Sequence, residues 1–151
     1  MKVLITGGAG YIGSTVASAL EDNGHTPVIL DSLITGARAF TSGRYFFQED
    51  IGDYDALKRV FDDHSDVKTC IHCAVLVVVP DSVQNPLTYY RENVAKTIQL
   101  LEYLMNFGCE RFIFSSSASI YAPPKGATFE VDEFSAINPG SPYARTKWMV
   151  E

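Results

Sequence analysis

Thr6-Gly7-Gly8-Ala9-Gly10-Tyr11-Ile12-Gly13 satisfies Gly-x-Gly-x-x-Gly from Gly8 and Gly-x-x-Gly-x-x-Gly from Gly7. It falls where the apolar run Val3–Thr6 gives way to a helical pattern from about Ile12 to Asp22. In a strand–turn–helix setting such glycines allow a tight turn, close approach of backbone to a pyrophosphate, and close packing of helix on strand. The helix N-terminus adds free N–H groups and a partial positive charge for phosphate. Dinucleotide binding is therefore expected, a purely structural turn being the alternative. Asp31 ends the second apolar run, eighteen residues after Gly13. That is close to the spacing of an acid that accepts hydrogen bonds from an adenosine ribose. A carboxylate there would repel a 2′-phosphate, which favours NAD over NADP; the bland alternative is a solvated strand-end acid. Asp50, closing the third run, is either a second contact near the adenine or a turn residue, and spacing leaves both open.

A second group lies in Ser141-Pro142-Tyr143-Ala144-Arg145-Thr146-Lys147. Pro suits the first helical position and Ser the cap before it, so Tyr143 and Lys147 stand four apart on one helix face. A nearby ammonium favours a phenolate and brings a tyrosine into range as a general base. Spacing alone does not separate this from an incidental pair. The fifth strand-sized run ends in Ser115-Ser116-Ser117, at the carboxyl edge where open α/β sheets bind ligands. A hydroxyl there could share a substrate proton with Tyr143, and spacing does not choose among the three.

The elements that must position these groups are legible as alternation. Val3–Thr6, Pro27–Leu30, Arg44–Gln48, Thr69–Cys73 and Arg111–Ser115 are strand-sized and rich in β-branched or aromatic residues. Between them run helical patterns. Leu87, Tyr90, Val94, Ile98, Leu101 and Met105 trace one face of a helix from about Pro86 to Phe107, with Gly108 as its stop. A helix from Ile12 to Asp22 ends at Asn23-Gly24. Another begins after Asp53 as N-cap and turns Leu57, Val60 and Phe61 inward. Strand–helix–strand alternation with apolar strands predicts an α/β fold, a parallel sheet wound on both faces by helices. Ala122–Pro142 is long for a bare loop, and loops of that length tend to be functional.

At 151 residues the chain suits one domain with a real core. A net charge of −6 argues against a nucleic-acid or anionic-membrane surface. No apolar run approaches the roughly 20 residues that span a bilayer. Three cysteines (Cys70, Cys73, Cys109) are too few for a secreted disulfide framework, so a reduced, cytoplasmic protein is expected. Cys70-x-x-Cys73 lacks the two further ligands a structural metal site needs, so no metal is expected. His72, between them, reads as structural rather than as a base.

Together these residues carry a resemblance. The glycine motif through Ser14, His72-Cys73-Ala74, Ser82 to Tyr90, Phe112-Ile113-Phe114-Ser115-Ser116-Ser117-Ala118 and Ser141-Pro142-Tyr143 with Lys147 resemble the extended short-chain dehydrogenase/reductases. Within them the chain is most similar to the UDP-glucose (UDP-galactose) 4-epimerases. The resemblance runs end to end and covers about the N-terminal half of such an enzyme. It implies a Rossmann-type doubly wound sheet, ending just after the Tyr/Lys helix begins, with residues 1–151 an incomplete NAD-binding domain and the sugar-nucleotide domain absent. By position, Tyr143 matches the family's catalytic base, Lys147 its partner on the nicotinamide ribose, and Ser117 the catalytic serine. Gly7, Gly10, Tyr11, Ile12 and Gly13 match the NAD-binding turn, and Asp31, Asp50 and Ile51 further NAD contacts. Cys73, Ala74 and Val75 match contacts at the fourth-strand edge, with Asn93 and Ser115 beside them in the cofactor set.

The implied reaction interconverts UDP-glucose and UDP-galactose. Tyr143 and Ser117 take the 4-OH proton while hydride leaves C4 for NAD, and the 4-keto sugar turns over and takes hydride back on its other face. Three positions depart from the family pattern: Val77 where a Lys is common, Lys96 in place of a helix Gly, and Ala122 in place of a Gly after the serine run. Val77 would weaken a polar cofactor contact and Lys96 would alter close packing of its helix. A 4,6-dehydratase would need an Asp-Glu pair after Ser117, where Ala118-Ser119 stand. UDP-glucuronate-type epimerases or decarboxylases, and a non-catalytic NAD-binding regulator, are the other readings. A UDP-sugar partner, negligible turnover by this chain alone and self-association through an exposed fifth strand, with a homodimer allowed for, complete the expectations.

Overall fold

A computed structural model of the chain describes residues 1–121 and 130–151. Short β-branched runs and amphipathic segments fold into two compact units, residues 1–75 with 96–115, and residues 76–95 with 116–151. In the first, five strands form one parallel sheet: β1 (Lys2–Thr6), β2 (Thr26–Leu30), β3 (Tyr45–Phe47), β4 (Thr69–His72) and β5 (Arg111–Phe114). Their order is β3-β2-β1-β4-β5, so the chain winds outward from β1 in both directions. Three helices of the same unit, α1 (Tyr11–Asp22), α2 (Tyr54–Asp63) and α5 (Lys96–Asn106), are amphipathic.

Alternation along the strands assigns the two faces. Leu4, Val28, Leu30 and Cys70 pack with Leu57, Val60 and Phe61 of α2 and Leu100 and Leu104 of α5. Ile5 and Ile29, one residue on in register, pack instead with Ala17 of α1. A strand buried on both faces is apolar along its middle, as Val3–Ile5 and Pro27–Leu30 are. Each fully buried Leu or Ile here contributes about 1.5–3 kcal/mol. Asp53 caps α2 by accepting from Ala56 N at 3.1 Å, as its place before the helix predicts.

The second unit holds α3 (Val79–Gln84), α4 (Pro86–Tyr89), a π-helical turn (Tyr90–Ala95), a 3₁₀ turn (Ala118–Ile120) and α6 (Pro142–Val150). The helix expected from Pro86 to Phe107 is thus three segments, and its apolar stripe is not its buried face. Leu87, Ile98 and Met105 are 77%, 53% and 76% exposed, whereas Tyr89, Asn93, Thr97, Leu100 and Leu104 are buried, together with Val94 from the stripe itself. Two causes act together. A π turn inserts residues into the helical repeat and shifts its register. The buried stripe also carries polar side chains whose hydrogen bonds permit burial, so hydropathy does not reveal it. The helix does end at Gly108, where Gly108 N donates to Met105 O and Cys109 N to Leu104 O. Among the described residues no helix is long and apolar enough to cross a membrane.

His64, after α2, is buried with its ring 4.6 Å from that of Tyr45 and 5.9 Å from that of Phe47. Burial, assisted by Lys2 and opposed by Asp63 and Asp66, holds its pKa below the usual histidine value. On acidification the unfolded chain therefore takes this proton first. The stability contributed by the neutral ring is complete above about pH 6.5 and is lost as pH falls below it. Replacing His64 by Phe is expected to flatten the fall in melting temperature between pH 7 and pH 5.5. An unchanged slope would remove His64 from the acid response.

Candidate functional site

The glycine turn occupies the carboxyl end of β1. Gly7 has a φ of +72°, and a Cβ on it would lie 2.6 Å from Ala74 N and 2.7 Å from Cys73 C. The turn is thus seated directly on the peptide leaving β4. Gly7 N donates to Leu30 O, Cys73 N to Thr6 O and Gly10 N to Gly7 O, so the turn is held from both neighbouring strands. A Cβ on Gly13 would press on the Gly7 carbonyl and sit 2.8 Å from Gly8 Cα. Close seating of α1 on the turn requires glycine there. Gly10 caps α1 with no side-chain hydrogen bond and no acid follows in the first turn, so the first-turn amides meet no competing carboxylate. Tyr11 and Ile12 begin that turn with exposed side chains. This cradle fits a pyrophosphate.

Asp31 stands just past β2 and is 8% exposed. Its Oδ2 accepts from Ala9 N at 3.0 Å and its Oδ1 from Leu33 N at 2.8 Å. Two amides fix the carboxylate beside the glycine turn, and each oxygen keeps a lone pair for a ribose hydroxyl. Ala9 is tied twice, since its carbonyl accepts from Ala37 N at 2.9 Å. Leu33 has a φ of +60°, unusual for a branched residue. Such a backbone persists where its surroundings over-determine it. Nothing in the residue types marks Leu33 or Ala9; both act through backbone.

Asp50 accepts from Gly52 N at 2.8 Å, which is the turn role, and its other oxygen accepts from Lys96 Nζ at 2.6 Å. Lys96, one of the three departures, thereby gains an account: it pairs with the acid after β3. Ile51 is buried in the core. Cys73, Ala74 and Val75 leave β4 half-buried, with Cys73 and Ala74 beneath Gly7. Ser115 N donates to His72 O at the end of β5. Cys70 is fully buried, and burial pushes its thiol well above the usual range, which leaves it an inert core residue. The three cysteines are free, and no metal-ligating cluster occurs among the described residues.

In the second unit Ser141 caps α6 by accepting from Ala144 N at 3.1 Å, with Pro142 in the first turn. Tyr143 is half-buried and Lys147 almost fully buried. A lysine is ordinarily among the last residues to be buried, so this placement is itself a functional signal. Asn93, in the π turn, is buried; its Oδ1 accepts from Leu76 N at 2.8 Å. Its Nδ2 donates to Leu76 O at 3.0 Å and to Thr146 Oγ1 at 3.1 Å. Thr146 in turn donates to Tyr143 O at 2.7 Å. Asn93 thus anchors the helix that carries Tyr143 and Lys147. Of the serines, Ser117 Oγ lies 2.8 Å from Ser119 Oγ, and Ser116 Oγ is buried with no hydrogen-bond partner among the described residues. Tyr89 is buried and donates to Val78 O at 2.7 Å; burial, then Asp81, raises its pKa. Val77 is exposed, and Ala122 lies outside the described residues.

Comparison with known proteins agrees with this fold. The chain is 40% identical over 151 residues to UDP-glucose 4-epimerase of Azospirillum brasilense, covering 99% of this chain and 42% of that protein. It is 39% identical to the Lactobacillus helveticus enzyme of the same name, covering 100% and 45%. A crystal structure of UDP-glucose-4-epimerase from Stenotrophomonas maltophila, with bound NAD and formylated UDP-arabinopyranose, superposes with a TM-score of 0.92 at 34% identity. That match covers 99% of this chain and 46% of the other. The Brucella ovis UDP-glucose 4-epimerase in complex with NAD gives 0.91 at 36% identity, covering 99% and 45%. The chain therefore spans a little under half the length of the relatives it matches. Residues 3–151 match the NAD dependent epimerase/dehydratase family, and to that family the chain belongs.

Proposed function

We propose that this chain holds NAD and carries the proton-handling residues of a UDP-sugar 4-epimerase. The observation that carries the cofactor assignment is the Asp31 carboxylate, fixed by Ala9 N and Leu33 N beside a glycine turn that admits no side chain at Gly7 or Gly13. Gly7, Gly10 and Gly13 with the amides opening α1 would take the pyrophosphate. Asp31 would accept from the adenosine ribose and turn away a 2′-phosphate by charge repulsion. Asp50 and Ile51 would lie toward the adenine, and Cys73 to Val75 with Ser115 along the strand ends.

NAD, when bound, supplies a reversible hydride acceptor at no net redox cost to the sugar. The residues of the chain do the rest. Tyr143 would remove the proton from a sugar 4-hydroxyl, Ser117 would share that proton through its own hydroxyl, and Lys147 would hold the nicotinamide ribose. Forty per cent identity to a UDP-glucose 4-epimerase supports a UDP-hexose as the sugar nucleotide, with Lys147 buried on the Tyr143 helix as the feature a non-catalytic relative would not need.

Calorimetric titration with NAD and, separately, NADP tests the cofactor assignment. Saturable NAD uptake, with NADP weaker by about tenfold or more, is expected from one uncompensated carboxylate–phosphate repulsion of about 1.4 kcal/mol or more. Equal affinity for the two would remove Asp31 from the ribose site, and uptake of neither would overturn the reading.

A further inference from the structure

His72 closes β4, immediately before Cys73. It is fully buried, and both ring nitrogens meet hydroxyls: Nδ1 lies 2.6 Å from Thr6 Oγ1 and Nε2 lies 2.9 Å from Thr97 Oγ1. Its ring centre lies 5.7 Å from that of Phe112 and 5.8 Å from that of Phe114, both on β5. Thr6 is the last residue of β1 and immediately precedes Gly7; Thr97 lies in the first turn of α5. All three members of the Thr–His–Thr chain are buried.

We propose that His72 is a positioning residue for the glycine turn, acting through Thr6. The turn has almost no positional tolerance, because Gly7 rests against the Cys73–Ala74 peptide at a distance that excludes even a Cβ. Relative sliding of the ends of β1 and β4 by a few tenths of an ångström would therefore close or open that contact. The β1–β4 ladder, paired from Leu4–Cys70 to Thr6–His72, opposes such sliding, and at the turn it ends on the bond from Cys73 N to Thr6 O at 2.9 Å. The imidazole adds a side-chain tie from β4 to β1, and its far nitrogen anchors the ring to α5. A rigid ring with a polar atom at each end spans the two hydroxyls in one orientation. Because each hydroxyl can donate or accept, either tautomer of a neutral ring satisfies both bonds. This Thr–His–Thr chain acts on the cradle at its β1–β4 end, whereas Asp31 holds the ribose end from β2, joined to the turn at Ala9 N and to its own loop at Leu33 N.

That separation supplies the test, and the inference rests on the NAD reading above. Thr6→Val keeps the shape and removes the hydroxyl that meets Nδ1. His72→Asn places an amide where Nδ1 was and keeps the tie to Thr6; His72→Gln reaches toward Thr97 and loses Thr6. Dissociation constants for NAD and for adenosine, which lacks the pyrophosphate, are measured for each at a temperature where circular dichroism shows the protein folded. Thr6→Val and His72→Gln are expected to weaken NAD about tenfold, as misplacement of a binding group does. Adenosine should change less than about twofold, and His72→Asn should recover most of the NAD affinity. A merely structural trio would lower the melting temperature and leave NAD affinity of the folded protein unchanged, or weaken NAD and adenosine alike; either result overturns the inference alone. Should Thr6→Val not fold, the His72→Asn and His72→Gln pair decides by the same criterion. No NAD uptake by the unsubstituted chain overturns both this inference and the reading beneath it.

Discussion

Gly13→Val is expected to abolish measurable NAD uptake, weakening it by about 100-fold or more, which is about 2.7 kcal/mol. A side chain there begins with a Cβ pressed on the Gly7 carbonyl and 2.8 Å from Gly8 Cα, and both obstacles are backbone. Neither can rotate away. Either α1 lifts from the turn, or the turn unseats from the Cys73–Ala74 peptide on which Gly7 rests. Each outcome moves the amides opening α1, which are proposed to take the pyrophosphate. Overpacking of this kind also costs about 1–3 kcal/mol of stability, so a melting temperature lower by several degrees is expected. Leu57→Ala is the control. It removes a fully buried side chain from the α2 face of the sheet and should cost about 2–5 kcal/mol. Because it leaves the glycine turn alone, the folded fraction should still bind NAD with unchanged affinity. Gly13→Val that binds NAD like the unsubstituted chain would show that this turn is structural only.

The second large effect concerns Asn93→Ala, expected to cost about 2–4 kcal/mol in urea unfolding. Asn93 meets the backbone of Leu76 as another strand would, accepting from its N–H and donating to its carbonyl. Truncation leaves both backbone groups short of a partner, and each orphaned group costs about 1–3 kcal/mol. Against a total stability of about 5–15 kcal/mol, that is a large share. Since Leu76 N–H fixes which amide atom is oxygen, the second Nδ2 hydrogen must point to Thr146 on α6. Asn93→Asp keeps the acceptor, loses both donors and brings a charge into a buried position, so it should be at least as damaging. Less than 1 kcal/mol for either variant would mean that Leu76 and α6 are secured in another way. Because Thr146 reaches on to the Tyr143 carbonyl, the same variants should loosen the helix that holds Tyr143 and Lys147.

Much of the site was legible in the residues because it is local. The glycine turn, the acid at the next strand end, the Ser-Pro start of α6 and the Tyr–Lys spacing each follow from a few consecutive positions and a short-range rule. Asp53 as N-cap and Gly108 as helix stop are of the same kind. The apolar stripe from Leu87 to Met105 failed as a guide to burial for a physical reason. On that segment the buried face is the one that can satisfy hydrogen bonds, and Asn93 and Thr97 outrank Leu87 and Met105 there. Asp50 shows the middle case: the turn role is local, while its pairing with Lys96 joins positions far apart in the chain.

Composition and order of residues determined that this chain would alternate strand and helix, bury its strands on both faces, and place a phosphate-shaped turn after the first. Those outcomes depend on hydropathy period and on backbone freedom, which neighbouring residues set. Only the tertiary structure decided that the Asp31 carboxylate is fixed by Ala9 and Leu33, and that His72 links Thr6 to Thr97. It alone decided that Asn93, held on Leu76, anchors α6 through Thr146. Each of these is a hydrogen bond between distant or backbone partners. Its strength depends on distances of a few tenths of an ångström that no residue type encodes and that packing of the whole fold supplies.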